Sequence, residues 1–142
     1  PNVVADTCVV EIDTRVPIGL TRAEVLGRVQ EILDREGIEA RVEPIGFCSE
    51  PNWTLPSDPL VASTMSALHD LVDPDAEAVL QWASSDARCF RSRGIPVLQY
   101  GPATLPTIHG FDERCPADDV LLAAKVYGLS ALRFLGQSQE EQ

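Results

Sequence analysis

Basic residues are scarce in this chain. Lys and Arg total 11 against 22 Asp and Glu, a net charge of −11, which would repel a phosphate backbone, and no basic stripe offsets it. Nucleic acid is therefore excluded as an expected partner. Long apolar runs are also lacking: none approaches the roughly 20 residues needed to cross a bilayer, and the N-terminus lacks the basic-then-apolar order of a signal peptide. A soluble, cytoplasmic protein without a membrane partner is the expectation. The four cysteines, Cys8, Cys48, Cys89 and Cys115, are too few and too widely spaced for a disulfide scaffold, and no C-x-x-C or Cys/His zinc-finger spacing occurs. Histidines number only two, His69 and His109. There is no internal repeat, no low-complexity stretch and no initiator Met; the chain opens almost inside a strand pattern and reads as a piece of something longer.

What remains is one ordinary domain's worth of residues, 142 in all, enough to bury a hydrophobic core. Over residues 7–16, Cys8, Val10 and Ile12 alternate with Glu11, Asp13 and Arg15, the period of a strand buried on one face. Val9 blurs that pattern slightly. A Pro-Gly turn signal and a capping box, Thr21 with Glu24, then predict a helix start. Val25, Leu26, Val29, Ile32 and Leu33 give that helix one apolar face, and Gly37 suits the left-handed residue beyond its end. Residues 38–45 are expected as the return strand. The stretch from 46 to 59 gathers three prolines and small polar residues without a hydrophobic period, marking a boundary.

Beyond it, Asp58 as N-cap and Pro59 at the first position predict a helix to Leu71, with Leu60, Val61, Met65, Leu68 and Leu71 as its apolar positions. An apolar run over 78–82, a short capped segment ending at Gly94, and a second apolar run over 95–101 have the rhythm of a βαβ unit. Pro116, Asp118 and Asp119 open a last helix carrying Val120, Leu121, Ala124, Leu129 and Leu132 toward Gly136, with a polar tail expected to fray. The fold class is α/β in two unequal parts. The domains are expected at 1–50 and 59–142, with a hinge or linker at 51–58.

Chemistry-bearing residues are few. Within the helix predicted to end at Leu71, His69 has no metal-type ligand one turn away, the pattern of an ordinary helical histidine. His109, with Asp112 and Glu113 close behind, either contributes to a metal site or decorates a turn, in which case the two acids hydrogen-bond the loop. Ser84, Ser85 and Asp86 either present hydroxyls and amides to an anion at a helix start or only cap that helix. Arg15 either forks onto a ligand carboxylate or pairs with a neighbour such as Asp13.

The joint order of three blocks narrows these choices. "NVVADTCVVEIDTRVPIG", "SSDARCFRSRGIPVLQYGP" and "TIHGFDERCPADDVLLAAKVYGLSAL" resemble the C-terminal portion of the di-zinc aminoacylase and carboxypeptidase metallopeptidase family, which includes acetylornithine deacetylase and succinyl-diaminopimelate desuccinylase. The likeness covers nearly the whole chain. It implies half of a small α+β lid that dimerises, followed by the C-terminal βαβα part of a catalytic domain. It makes His109 a ligand to one of two zinc ions. It makes Asn2 and Arg15, 13 residues apart, the lid pair that grips the substrate, with the arginine on its free carboxylate. Ser84 falls where the family has Thr in a Gly-Gly-Thr pocket loop; the paired glycines are Trp82 and Ala83 here, and the Pro often found after the first block's N-V-V is Ala5.

The family's H-x-D motif, bridging aspartate, Glu-Glu pair with the general base, and lid histidine have no counterpart in the chain. The resemblance thus implies part of a zinc-dependent amidohydrolase acting on N-acyl or peptide-linked amino acids, inactive alone, and a homodimer through the lid in the complete enzyme. The competing expectation is a non-catalytic binding or dimerisation module of the same derivation, using exposed sheet edges to recruit a partner. Uncovered apolar faces are expected to make the isolated chain self-associate or rearrange.

Overall fold

The structure is a computed structural model and describes residues 4–46, 48–81, 83–102 and 105–140; the side chains of 105 and 137–140 are not described. Two compact units are present. The first comprises Pro1–Pro51 with Trp82–Ser84, the second Asn52–Gln81 with Ser85–Gln142.

In the first unit the capping box sets the start of α1 (Arg22–Arg35). The Glu24 amide donates to Thr21 Oγ1 at 3.2 Å, while the Thr21 amide donates to the Glu24 carboxylate at 2.7 Å. Two helix-end donors are thereby satisfied reciprocally. The same contacts, the Thr21 backbone first and its hydroxyl second, hold the Glu24 carboxyl below its ordinary range, and Arg28 adds to this. Gly37 takes φ 67° just past the helix, a conformation that any Cβ would strain. Arg22 anchors the following loop, its amide donating to Glu50 Oε2 at 2.9 Å and its guanidinium to the Cys48 carbonyl at 3.3 Å.

The α/β reading meets its main difference here. Among the described residues all regular structure is helical, and residues 7–16, 38–45, 78–81 and 95–101 form no strand. A strand exists only through ladder bonds to a neighbour, so the alternating pattern specifies which face would be buried and not which backbone will pair. The consequence is visible in exposure: Val9 is 81%, Val10 74% and Ile12 70% exposed. The apolar face of α1 is only partly covered: Val25, Leu26, Val29 and Leu33 are half-buried, Ile32 is exposed, and the helix buries none of its residues.

The core lies in the second unit, between α2 (Pro59–Leu71) and α4 (Ala117–Glu140). The Asp58 side chain caps α2 by accepting the Leu60 amide at 2.9 Å, and Pro59 occupies the first turn, where a missing N–H costs nothing. α2 buries Val61, Ser63, Thr64 and Ala67; α4 buries Ala123, Val126 and Ser130. Of the positions expected from the sequence, Val61 is buried, and Leu60, Met65, Leu68 and Leu129 are half-buried. Val120, Leu121 and Leu132 are 51%, 62% and 72% exposed, and Leu71 is 37% exposed. Small side chains, Ser63, Ala67, Ala123 and Ser130, make up much of the buried set together with Val61 and Val126, while Leu60, Leu68, Leu122 and Leu129 are only half-buried. Two buried hydroxyls are satisfied within their own helices, Thr64 Oγ1 donating to the Leu60 carbonyl at 2.9 Å and Ser130 Oγ to the Val126 carbonyl at 2.6 Å. Arg133 bridges the pair, donating to Ser66 Oγ at 2.8 Å and to the Asp70 carboxylate.

The end of α4 also differs from expectation. The helix passes Gly136 and runs to Glu140 instead of stopping, because one interior Gly costs only about 1 kcal/mol and Gln and Glu are good helix formers. No helix among the described residues is long and apolar enough to cross a membrane.

Candidate functional site

His109 sits in a turn that follows a short 3-10 segment, Leu105–Thr107. The Gly110 amide donates to the Thr107 carbonyl at 3.0 Å, closing the turn. His109 adopts φ 60° and Asp112 φ 58°, left-handed conformations that cost non-glycine residues on the order of 1 kcal/mol or more. A Cβ at Gly110 would meet the Thr107 carbonyl oxygen at 3.2 Å, a tight contact that the turn would have to relax to accept. The His109 amide donates to Glu113 Oε2 at 3.3 Å; that acid therefore braces the loop. The imidazole is exposed, and nothing among the described residues hydrogen-bonds it.

The other histidine is used structurally. His69 Nε2 lies 2.9 Å from the Ala76 carbonyl, which accepts its proton and ties the end of α2 to the loop beyond.

Arg15 lies in the first unit, where its guanidinium donates to Asp13 Oδ2 at 2.7 Å. Both side chains are largely solvated, 47% and 70% exposed, so the pair is worth at most about 1 kcal/mol. A planar carboxylate ligand offering two parallel bonds could displace it. Ser84 is exposed and belongs to the same unit; Asn2 lies outside the described residues. The next serine, Ser85, accepts the Ala87 amide at 3.3 Å and so caps α3 (Ala87–Arg91), whereas Asp86 makes no such cap. α3 has only five residues, too few for a strong end field.

The described residues contain no group of three or more His, Cys, Asp or Glu side chains that could hold a metal ion. Zinc takes three or four protein donors. His109 has the right donor chemistry for one of them, and the remaining donors would have to come from outside the described residues.

Two clusters in the second unit escaped the sequence reading. In one, the Tyr127 hydroxyl donates to the Tyr100 carbonyl at 2.5 Å and the two rings meet edge to face with centroids 5.8 Å apart. Burial, then the nearby Tyr127 and Asp119, push the Tyr100 phenol above its ordinary range. These rings border an open groove lined also by Leu60, Val97, Leu98 and Phe134. In the other cluster, Arg91 reaches Asn52, Thr54 and Val97. Their partners lie far away in sequence, so no local pattern signals them.

Compared with known proteins, the chain is 30% identical over 135 residues to the succinyl-diaminopimelate desuccinylase of Alkalilimnicola ehrlichii, a match covering 95% of this chain and 35% of that protein. It is 28% identical over 131 residues to a protein of Pyrobaculum aerophilum named as a LysW-lysine/LysW-ornithine hydrolase, covering 92% of this chain and 35% of that one. The chain thus spans about a third of the length of these curated relatives. No family model matches it, and no solved structure does.

Proposed function

We propose that this chain is the C-terminal part of a zinc-dependent amidohydrolase of the di-zinc aminoacylase and carboxypeptidase family, cleaving N-acyl or peptide-linked amino acids that carry a free carboxylate. The observation that carries this reading is the similarity to the desuccinylase over 95% of the chain. Residues 1–50 act as part of a dimerising lid, 51–58 as the linker and 59–142 as the end of the catalytic domain. Unpaired segments at 7–16 and 38–45 are what a divided sheet would leave.

In this reading each residue has one task. Arg15 leaves its weak pair with Asp13 and forks onto the substrate carboxylate, with Asn2 and Ser84 completing the grip. His109 contributes one imidazole to one of two zinc ions. With His109 the one residue this reading assigns to the metal, the chain alone is expected to be inactive.

The test uses the natural protein purified from its source. The expected result is a mass well above the 15.4 kDa of these residues, bound zinc, and hydrolysis of N-succinyl or N-acetyl amino acids that His109→Ala abolishes and Arg15→Ala weakens through KM. A natural mass near 15.4 kDa, or full activity in His109→Ala, would overturn the proposal. The first of those outcomes would instead favour a binding module, for which the exposed Val9, Val10 and Ile12 are the candidate edge.

A further inference from the structure

Where the chain enters the second unit, a single hydroxyl does the work of a strand. Thr54 Oγ1 donates to the Val97 carbonyl at 2.6 Å and accepts the Val97 amide at 2.9 Å. One side chain thereby satisfies both backbone groups of one residue, the exchange that a directly opposed residue makes in a hydrogen-bonded antiparallel pair. Arg91, the last residue of α3, holds this hydroxyl in place. Its Nε donates to Thr54 Oγ1 at 3.2 Å, one terminal nitrogen to Asn52 Oδ1 at 3.3 Å and the other to the Val97 carbonyl at 2.7 Å. All four residues are half-buried, where loss of a partner leaves a polar group poorly solvated.

The guanidinium is spread over three acceptors on two separate stretches of chain, residues 52–54 and Val97. Only a planar fork with several fixed donors can do this; a lysine ammonium offers one point. We propose that Arg91 and Thr54 form a clamp that fixes the entry of the chain at residues 52–54 and occupies the backbone of Val97, closing that side of the 95–101 segment to a pairing strand. Arg91 is a positioning residue in this arrangement, acting through the threonine hydroxyl and through its own bond to the Val97 carbonyl. The clamp stands independently of the hydrolase reading, since all its parts lie in one unit.

Amide hydrogen exchange on the full chain tests it. Thr54→Val keeps the shape and removes the hydroxyl, and the Val97 amide is expected to exchange about tenfold faster or more. Thr54→Ser restores the hydroxyl and should lie within about twofold of the parent. Arg91→Lys keeps the charge but should still speed Val97 several-fold, where a merely electrostatic role would leave it unchanged. The amides of Ala67 and Val126, in the α2–α4 seam, should not move in any variant. Unchanged Val97 exchange in Thr54→Val or in Arg91→Lys overturns the clamp, as does loss of protection in Thr54→Ser. Equal acceleration of Val97, Ala67 and Val126, or failure of Thr54→Val to fold, also overturns it, by showing that the threonine supports the whole unit and not one local contact.

Discussion

Replacing Ala67 with Leu tests whether the small-residue seam is the true core. Ala67 is fully buried, and facing α4 contributes Ala123 and Val126, which are 2% and 0% exposed. Three added carbons have no void to enter, so α2 must move off α4 or the leucine must take a strained rotamer. Overpacking of this kind costs about 1–3 kcal/mol. With a urea dependence of about 1–3 kcal/mol per molar for a domain of this size, the unfolding midpoint should fall by roughly 1 M. Leu132→Ala is the control. By the sequence pattern Leu132 is a core leucine, whose truncation would cost about 2–5 kcal/mol; by the structure it is 72% exposed, and its loss should cost less than about 0.5 kcal/mol. Both variants are measured by urea titration of helical ellipticity. A larger shift for Leu132→Ala than for Ala67→Leu would refute the assigned face and the reasoning from small side chains.

Further outcomes follow from the caps, the turn and the tyrosine pair. Asp58→Ala removes the acceptor of the Leu60 amide and should lower stability by about 1 kcal/mol in the same titration. His109→Gly relieves a left-handed backbone and should raise stability by up to about 1 kcal/mol while removing the proposed zinc donor; a destabilised variant would show that the ring packs. Tyr127→Phe deletes the bond to the Tyr100 carbonyl and should cost about 1 kcal/mol. Because Glu24 is depressed below 4.5 in the folded chain, its support for α1 is present above the unfolded value and disappears as pH falls through the folded one. Acid titration of α1 helicity by NMR should show that loss below about pH 4.5, and Glu24→Gln should remove this pH dependence.

Features set by neighbours in sequence were legible. The Thr21 and Glu24 box, the Asp58 and Pro59 start, and the positive φ of Gly37 each depend on a few adjacent residues and steric rules that hold anywhere. Features set by distant partners were not. The alternation at residues 7–16 was plain, yet no strand forms among the described residues, because a ladder needs a second backbone. The leucines of α4 were visible as a stripe, but the stripe does not say which neighbour it serves; Ala123, Val126 and Ser130 face α2 instead. At the candidate site, His109 stood out as one of two histidines, and Glu113 met the expectation of a loop hydrogen bond. The left-handed conformation of His109 had no signal, since His is tolerated there without being diagnostic. Arg91 and Thr54, 37 residues apart, could not have been joined by any local pattern.

The hydroxyls of Thr64 and Ser130 turn back onto their own helices, so these two buried groups add no directional bond between the surfaces that α2 and α4 present to each other. Such surfaces resist separation far better than sliding. Arg133, gripping Ser66 and Asp70 together, is then less a source of cohesion than an index mark: it distinguishes the native alignment from one displaced by a helical turn. Removing it should leave melting nearly unchanged but blur the side-chain resonances along the contact, the signature of two alignments in exchange.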